Sequence, residues 1–122
     1  MKKQTVFLLT ILGILAGFAT FAQEAKTISL DQTPGEFKTT ELTLKPGKYV
    51  VDVTNKGVKH AVGFVITPKG KTDQGNHIRS SYLSKIVENG ESAKSGEVTL
   101  EKGEYVYFCP LNPTPHYRLV VK

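Results

Sequence analysis

The chain contains one cysteine, Cys109, and three histidines, His60, His77 and His116. Cys109 ends the strongly β-prone run Tyr105-Val-Tyr-Phe-Cys and opens the loop Pro110-Leu-Asn-Pro-Thr-Pro-His116. A single thiol has no internal disulfide partner, and left free it is open to oxidation. Taken alone it reads as a small buried hydrophobe. Its place at a strand end, where loops carry binding groups, argues for chemistry instead. His60 opens a predicted strand just after the turn Asn55 to Lys59, and His116 closes the loop that Cys109 begins. One soft thiolate and two imidazoles favour copper or zinc, and copper has the higher intrinsic affinity among divalent ions. Three prolines in the loop restrict it before a metal arrives, which suits a centre that changes oxidation state with little movement. His60, Cys109 and His116 are therefore the candidate metal ligands. His77 falls in a predicted helix and reads as a solvated surface residue.

Short strands must position these residues. Thr27 to Leu30 and Glu41 to Leu44 alternate polar and apolar side chains, and Lys45-Pro46-Gly47-Lys48 supplies turn chemistry. In Tyr49 to Thr54, residues Tyr49, Val51 and Val53 share one face. His60 to Thr67, Gly96 to Leu100, Tyr105 to Cys109 and Tyr117 to Val121 complete the set, with turns between them. Strands this short and this often punctuated predict an antiparallel sandwich or barrel. In Asp73 to Ile86, the four-residue spacing of Ile78, Tyr82 and Ile86 predicts one short helix between strands. An internal echo supports a two-sheet plan: Glu41 to Val50 aligns without gaps on Glu97 to Val106, with Glu, Thr, Leu, Gly, Tyr and Val repeated.

The amino end has a different task. Met1-Lys2-Lys3 is basic, Val6 to Phe18 is uncharged and almost wholly apolar, and Ala22 precedes polar Gln23. That order reads as a secretory signal peptide over residues 1–22, leaving one domain over 23–122 and a periplasmic or secreted protein. An uncleaved membrane anchor is the alternative, and membrane association is expected only in that case. With 122 residues there is room for one domain. Loss of Lys2 and Lys3 lowers the formal charge from +5 to +3. The remaining charges are scattered, with no basic cluster or aromatic stacking pattern, which argues against nucleic-acid binding. No Ser, His and Asp motif or phosphate loop is present, so an enzyme is not expected.

The stretches Gly47-Lys-Tyr-Val-Val-Asp-Val-Thr-Asn-Lys-Gly-Val-Lys-His60 and Val98-Thr-Leu-Glu-Lys-Gly-Glu-Tyr-Val-Tyr-Phe-Cys109-Pro, with the closing strand Tyr117 to Val121, resemble the cupredoxins. These are small blue-copper proteins such as plastocyanin, pseudoazurin and amicyanin. The resemblance covers essentially all of residues 23–122. It implies an all-β, Greek-key antiparallel β-sandwich with copper at one end, held by an upstream His, a Cys, a second His and commonly an axial Met.

Residue by residue, His60 matches the upstream histidine and Cys109 the thiolate. Elsewhere the chain departs from the pattern. Leu111, Asn112 and Pro113 occupy the region of the second histidine, and His116 lies where the axial methionine is usual. The only methionine is Met1, and Ala61 stands where the family often has Asn. Three arrangements follow: His116 is the second imidazole on a longer loop, or it is axial with one position open, or copper binding is lost. The resemblance implies a monomeric electron carrier with one copper and a redox protein partner, with Tyr107 and Phe108 walling the site. Two other functions stand beside it. One is a metal-free binding or assembly module of the cell envelope; the other is copper storage or delivery.

Overall fold

Alternation along each strand decides which residues enter the interior. In β4 (Gly47–Asn55), Tyr49, Val51, Val53 and Asn55 are buried while Val50, Asp52 and Thr54 are only partly covered. The computed structural model describes residues 24–122, so the predicted leader lies outside the described residues. The other strands are β1 (Lys26–Thr33), β2 (Glu36–Phe37), β3 (Glu41–Leu44), β5 (Val65–Pro68), β6 (Ser92–Lys94), β7 (Val98–Leu100), β8 (Gly103–Phe108) and β9 (Tyr117–Val121). They form two sheets. One runs β2-β1-β4-β6, with β7 paired to the other half of β4, and the second runs β3-β9-β8-β5. The expected all-β sandwich stands, and two of its pairings, β1 with β4 and β3 with β9, are parallel.

The repeated segments are corners rather than hairpins. In the first copy β3 belongs to the second sheet and β4 to the first; in the other, β7 belongs to the first and β8 to the second. Each copy therefore carries the chain across the sandwich. The two copies meet where β4 pairs antiparallel with β7, Tyr49 opposite Val98. Their shared tyrosines do the same work: Tyr49 donates to the Lys45 carbonyl at 2.6 Å, and Tyr105 to the Glu101 carbonyl at 2.9 Å. A phenol bonded four residues back pins each corner, as in the tyrosine corner of other sandwiches.

The core lies between the sheets and is centred on aromatic rings. Phe37, in the two-residue strand β2, has no exposure and meets Phe64, Tyr107 and Tyr117 edge-on at 5.6 to 5.9 Å between centroids. Such edge-to-face contacts add to the burial of the rings. The Tyr117 hydroxyl oxygen accepts the Phe37 N–H at 3.1 Å, which ties β2 to β9 across the core.

Two expectations are corrected. The strand predicted from His60 begins only at Val65. Asn55, fully buried, holds the preceding residues in a loop: its Oδ1 accepts the Val58 N–H at 2.8 Å, and its Nδ2 faces the carbonyls of Val58, His60 and Val87 at 3.1 to 3.2 Å. Val62 then makes an isolated bridge to Val87. The helix predicted within Asp73 to Ile86 is two single 3₁₀ turns, Gln74–Asn76 and Arg79–Ser81. Bonds to the sheet replace helical ones there: the Ile78 N–H donates to the Ile66 carbonyl at 3.0 Å, and the Ser81 hydroxyl receives the Ile66 N–H at 2.9 Å.

Candidate metal centre

One pole of the sandwich gathers the ends of β1, β4 and β8 and the starts of β5 and β9. The upstream loop, 56–64, and the Cys109 loop, 109–116, both lie there. Cys109 is 4% exposed and belongs to the core cluster. Its Sγ receives three backbone N–H groups: Asn112 at 3.0 Å, Leu111 at 3.3 Å and Gly63 at 3.3 Å. Proline at 110 has no N–H to offer, so the loop turns its next two amides onto the sulfur. The Cys109 N–H in turn donates to the Thr114 hydroxyl at 3.1 Å.

Two buried amide side chains brace this arrangement. Gln32, with no exposure, donates from Nε2 to the Gly63 carbonyl at 3.2 Å. Its Oε1 accepts the Asn112 Nδ2 proton at 2.8 Å, and Asn112 is 5% exposed. Sequence reasoning did not single out Gln32 or the role of Asn112. The available signal was Gln32 itself, a polar residue at an inward position of an alternating strand whose other inward residue nearby is Leu30.

The histidines are placed differently from the sulfur. His60 is exposed, and its Nδ1 lies 3.0 Å from the carbonyl of its neighbour Ala61. The upstream loop meets the sulfur at Gly63, not at His60. His116 is exposed and its ring rests on Phe108, 4.4 Å between centroids. Phe108 carries His77 as well, edge-on at 6.0 Å. His77 is half-buried, with Nδ1 2.6 Å from the Tyr82 hydroxyl, so it is not the solvated residue expected of it. Tyr107 packs in the core, and its hydroxyl donates to the Thr39 carbonyl at 2.6 Å. Among the described residues, no group of three His, Cys, Asp or Glu side chains is gathered to hold a metal ion. Beside the pole, an apolar groove of about 350 Å³ is lined in part by Phe64, Tyr82, Leu83, Ile86, Pro110 and Leu111.

A family model described as copper binding proteins, plastocyanin/azurin family, matches residues 24–122. The chain belongs to this family. Solved cupredoxins share its fold. Auracyanin A, a "blue" copper protein from Chloroflexus aurantiacus, is 18% identical with a TM-score of 0.66, over 81% of this chain and 100% of its own. Dithionite-reduced auracyanin from Roseiflexus castenholzii is 17% identical with a TM-score of 0.62, over 83% and 99%. An azurin from Methylomonas sp. strain J is 15% identical with a TM-score of 0.57, over 81% and 99%. No curated protein matched the sequence.

Cupredoxins bind copper, and the donors at this pole bear on that ion. The donor chemistry fits in part: a buried sulfur and two imidazoles occur on the two loops of one pole, a soft and borderline set. The placement does not complete it, because the imidazoles are exposed and are not gathered with Cys109. Among the described residues no helix is long and apolar enough to cross a membrane.

Proposed function

We propose that residues 23–122 form an exported cupredoxin that carries single electrons on one copper ion at the Cys109 pole. Family membership and fold support a copper-binding electron carrier in general. The observation that carries the assignment to this pole is the sulfur of Cys109, buried at the sandwich end and fixed by three backbone amides. Cys109 is the proposed thiolate donor, and His60 and His116 are the proposed nitrogen donors, each on a loop that borders the sulfur. Copper would supply one-electron redox chemistry. The chain's own part is to hold the sulfur still and to keep it from water by burying it, with Cys109 4% exposed. A rigid, dry donor lowers the rearrangement that accompanies a change of oxidation state. The basic-then-apolar leader, residues 1–22, supports export to the periplasm or beyond, followed by cleavage. The partner in this reading is another redox protein, met by a monomer. The test is metal analysis and N-terminal sequencing of the exported protein. About one copper per chain and a start at Gln23 support the proposal; a metal-free protein starting at Met1 contradicts it.

A second reading rests on the outward histidines and on two exposed apolar side chains. Ile86 is 56% exposed and Leu111 49%, and both line the groove beside the pole. In this reading the sandwich is a metal-free binding or assembly module of the cell envelope. Partner capture that survives both Cys109→Ser and His116→Ala supports it, and capture lost in those variants alone contradicts it.

A further inference from the structure

We propose that Gln32 is the positioning residue of the Cys109 sulfur, acting through the two loops whose amides point at it. Four hydrogen bonds close a ring. Gln32 Nε2 donates to the Gly63 carbonyl at 3.2 Å, and the Gly63 N–H donates to Sγ at 3.3 Å. The Asn112 N–H donates to the same sulfur at 3.0 Å, and Asn112 Nδ2 returns to Gln32 Oε1 at 2.8 Å. The backbone of Gln32 extends the hold, since its carbonyl accepts the Lys56 N–H at 2.8 Å at the start of the upstream loop. One residue of β1 therefore grips the upstream loop at two points and the Cys109 loop at a third.

Burial makes this ring more than a surface decoration. Gln32 is fully covered and Asn112 is 5% exposed, so water does not replace a lost partner easily. The amide of Gln32 also fits the task by type: one end donates to a carbonyl and the other accepts from an amide, which neither a carboxylate nor an aliphatic side chain does. The upstream loop joins β4 to β5 of the other sheet, whereas the Cys109 loop joins β8 to β9 within one sheet. The Gln32 side chain and the shared sulfur tie Gly63 to Asn112. The ring acts on the sulfur with or without a metal, so its test is separate from that of copper binding.

The experiment measures amide hydrogen exchange by NMR in the metal-free domain, with and without Gln32→Met, which keeps approximate volume and removes both hydrogen bonds. Exchange at Gly63 and Asn112 is expected to rise about tenfold or more beyond any rise in the β4 and β9 ladder amides, which report global opening. Asn112→Ala leaves the Gln32 bond to the Gly63 carbonyl in place, so it should loosen the Asn112 position more than Gly63. Unchanged exchange at both amides in Gln32→Met overturns the proposal. So does a rise matched by the ladder amides, which marks a purely structural role. Should Gln32→Met fail to fold, Asn112→Ala decides: exchange at position 112 that stays at the wild-type rate overturns the proposal.

Discussion

Gly63 and Cys109, 46 positions apart, meet through an amide-to-sulfur hydrogen bond of 3.3 Å. This contact sets where the upstream loop reaches the pole. It brings a backbone group to the sulfur and leaves His60, three residues earlier, at the surface. The pole is thus assembled from main-chain donors first, and any metal must draw its nitrogen ligands from the rim.

Asn55 holds the shape of that upstream loop. Asn55→Ala removes the acceptor for the buried Val58 N–H and the donor facing three carbonyls. Leaving such groups unpaired costs about 1–3 kcal/mol each, so a loss of about 2–3 kcal/mol is expected. Urea denaturation measures it. A change within about 0.5 kcal/mol, the range of ordinary surface substitutions, would show that the loop does not depend on this side chain.

The paired corners predict a graded result. Tyr49→Phe and Tyr105→Phe each delete one hydroxyl-to-carbonyl bond and leave the ring. Tyr49 is 5% exposed, whereas the Tyr105 bond is exposed, so the expected costs are about 1 kcal/mol and about 0.5 kcal/mol or less. Thermal melts of the single and double variants check this order. Equal losses, or a larger one at Tyr105, would contradict the role assigned to burial.

Tyr107 gives the fold an alkaline limit. Burial, reinforced by Tyr117 and Glu41, pushes its phenol well above the ordinary value of 10.0. The neutral phenol is the form the folded state favours. Its contribution is therefore complete below pH 10 and falls as pH rises above 10 toward the folded value. The slope approaches about 1.4 kcal/mol per pH unit for this one group. Stability curves from pH 9 upward should fall less steeply in Tyr107→Phe. An identical slope in the two proteins would remove Tyr107 as the cause.

Much of the sandwich was legible in sequence because alternation is a local signal. Tyr117 to Val121 matches β9 at both ends, and the inward face of Tyr49, Val51 and Val53 is the one observed. Pairing was not legible in the same way. Each repeated segment is strand, glycine turn, strand in sequence, and its two strands pair in different sheets, because partners are chosen by packing far along the chain. The spacing of Ile78, Tyr82 and Ile86 imitates a helix, but backbone bonds to β5 won, and Ile86 ended exposed. At the pole, Cys109 was found from its place at a strand end. Gln32 and Asn112 were not, since a bond spanning 80 positions leaves only a polar residue on an inward face as its trace.

The most direct test of the copper assignment is the visible spectrum of the purified mature domain after addition of Cu(II). The account predicts an intense thiolate-to-copper charge-transfer band that is lost in Cys109→Ser and weakened in His60→Ala and His116→Ala. A colourless solution with no copper retained after desalting would contradict it.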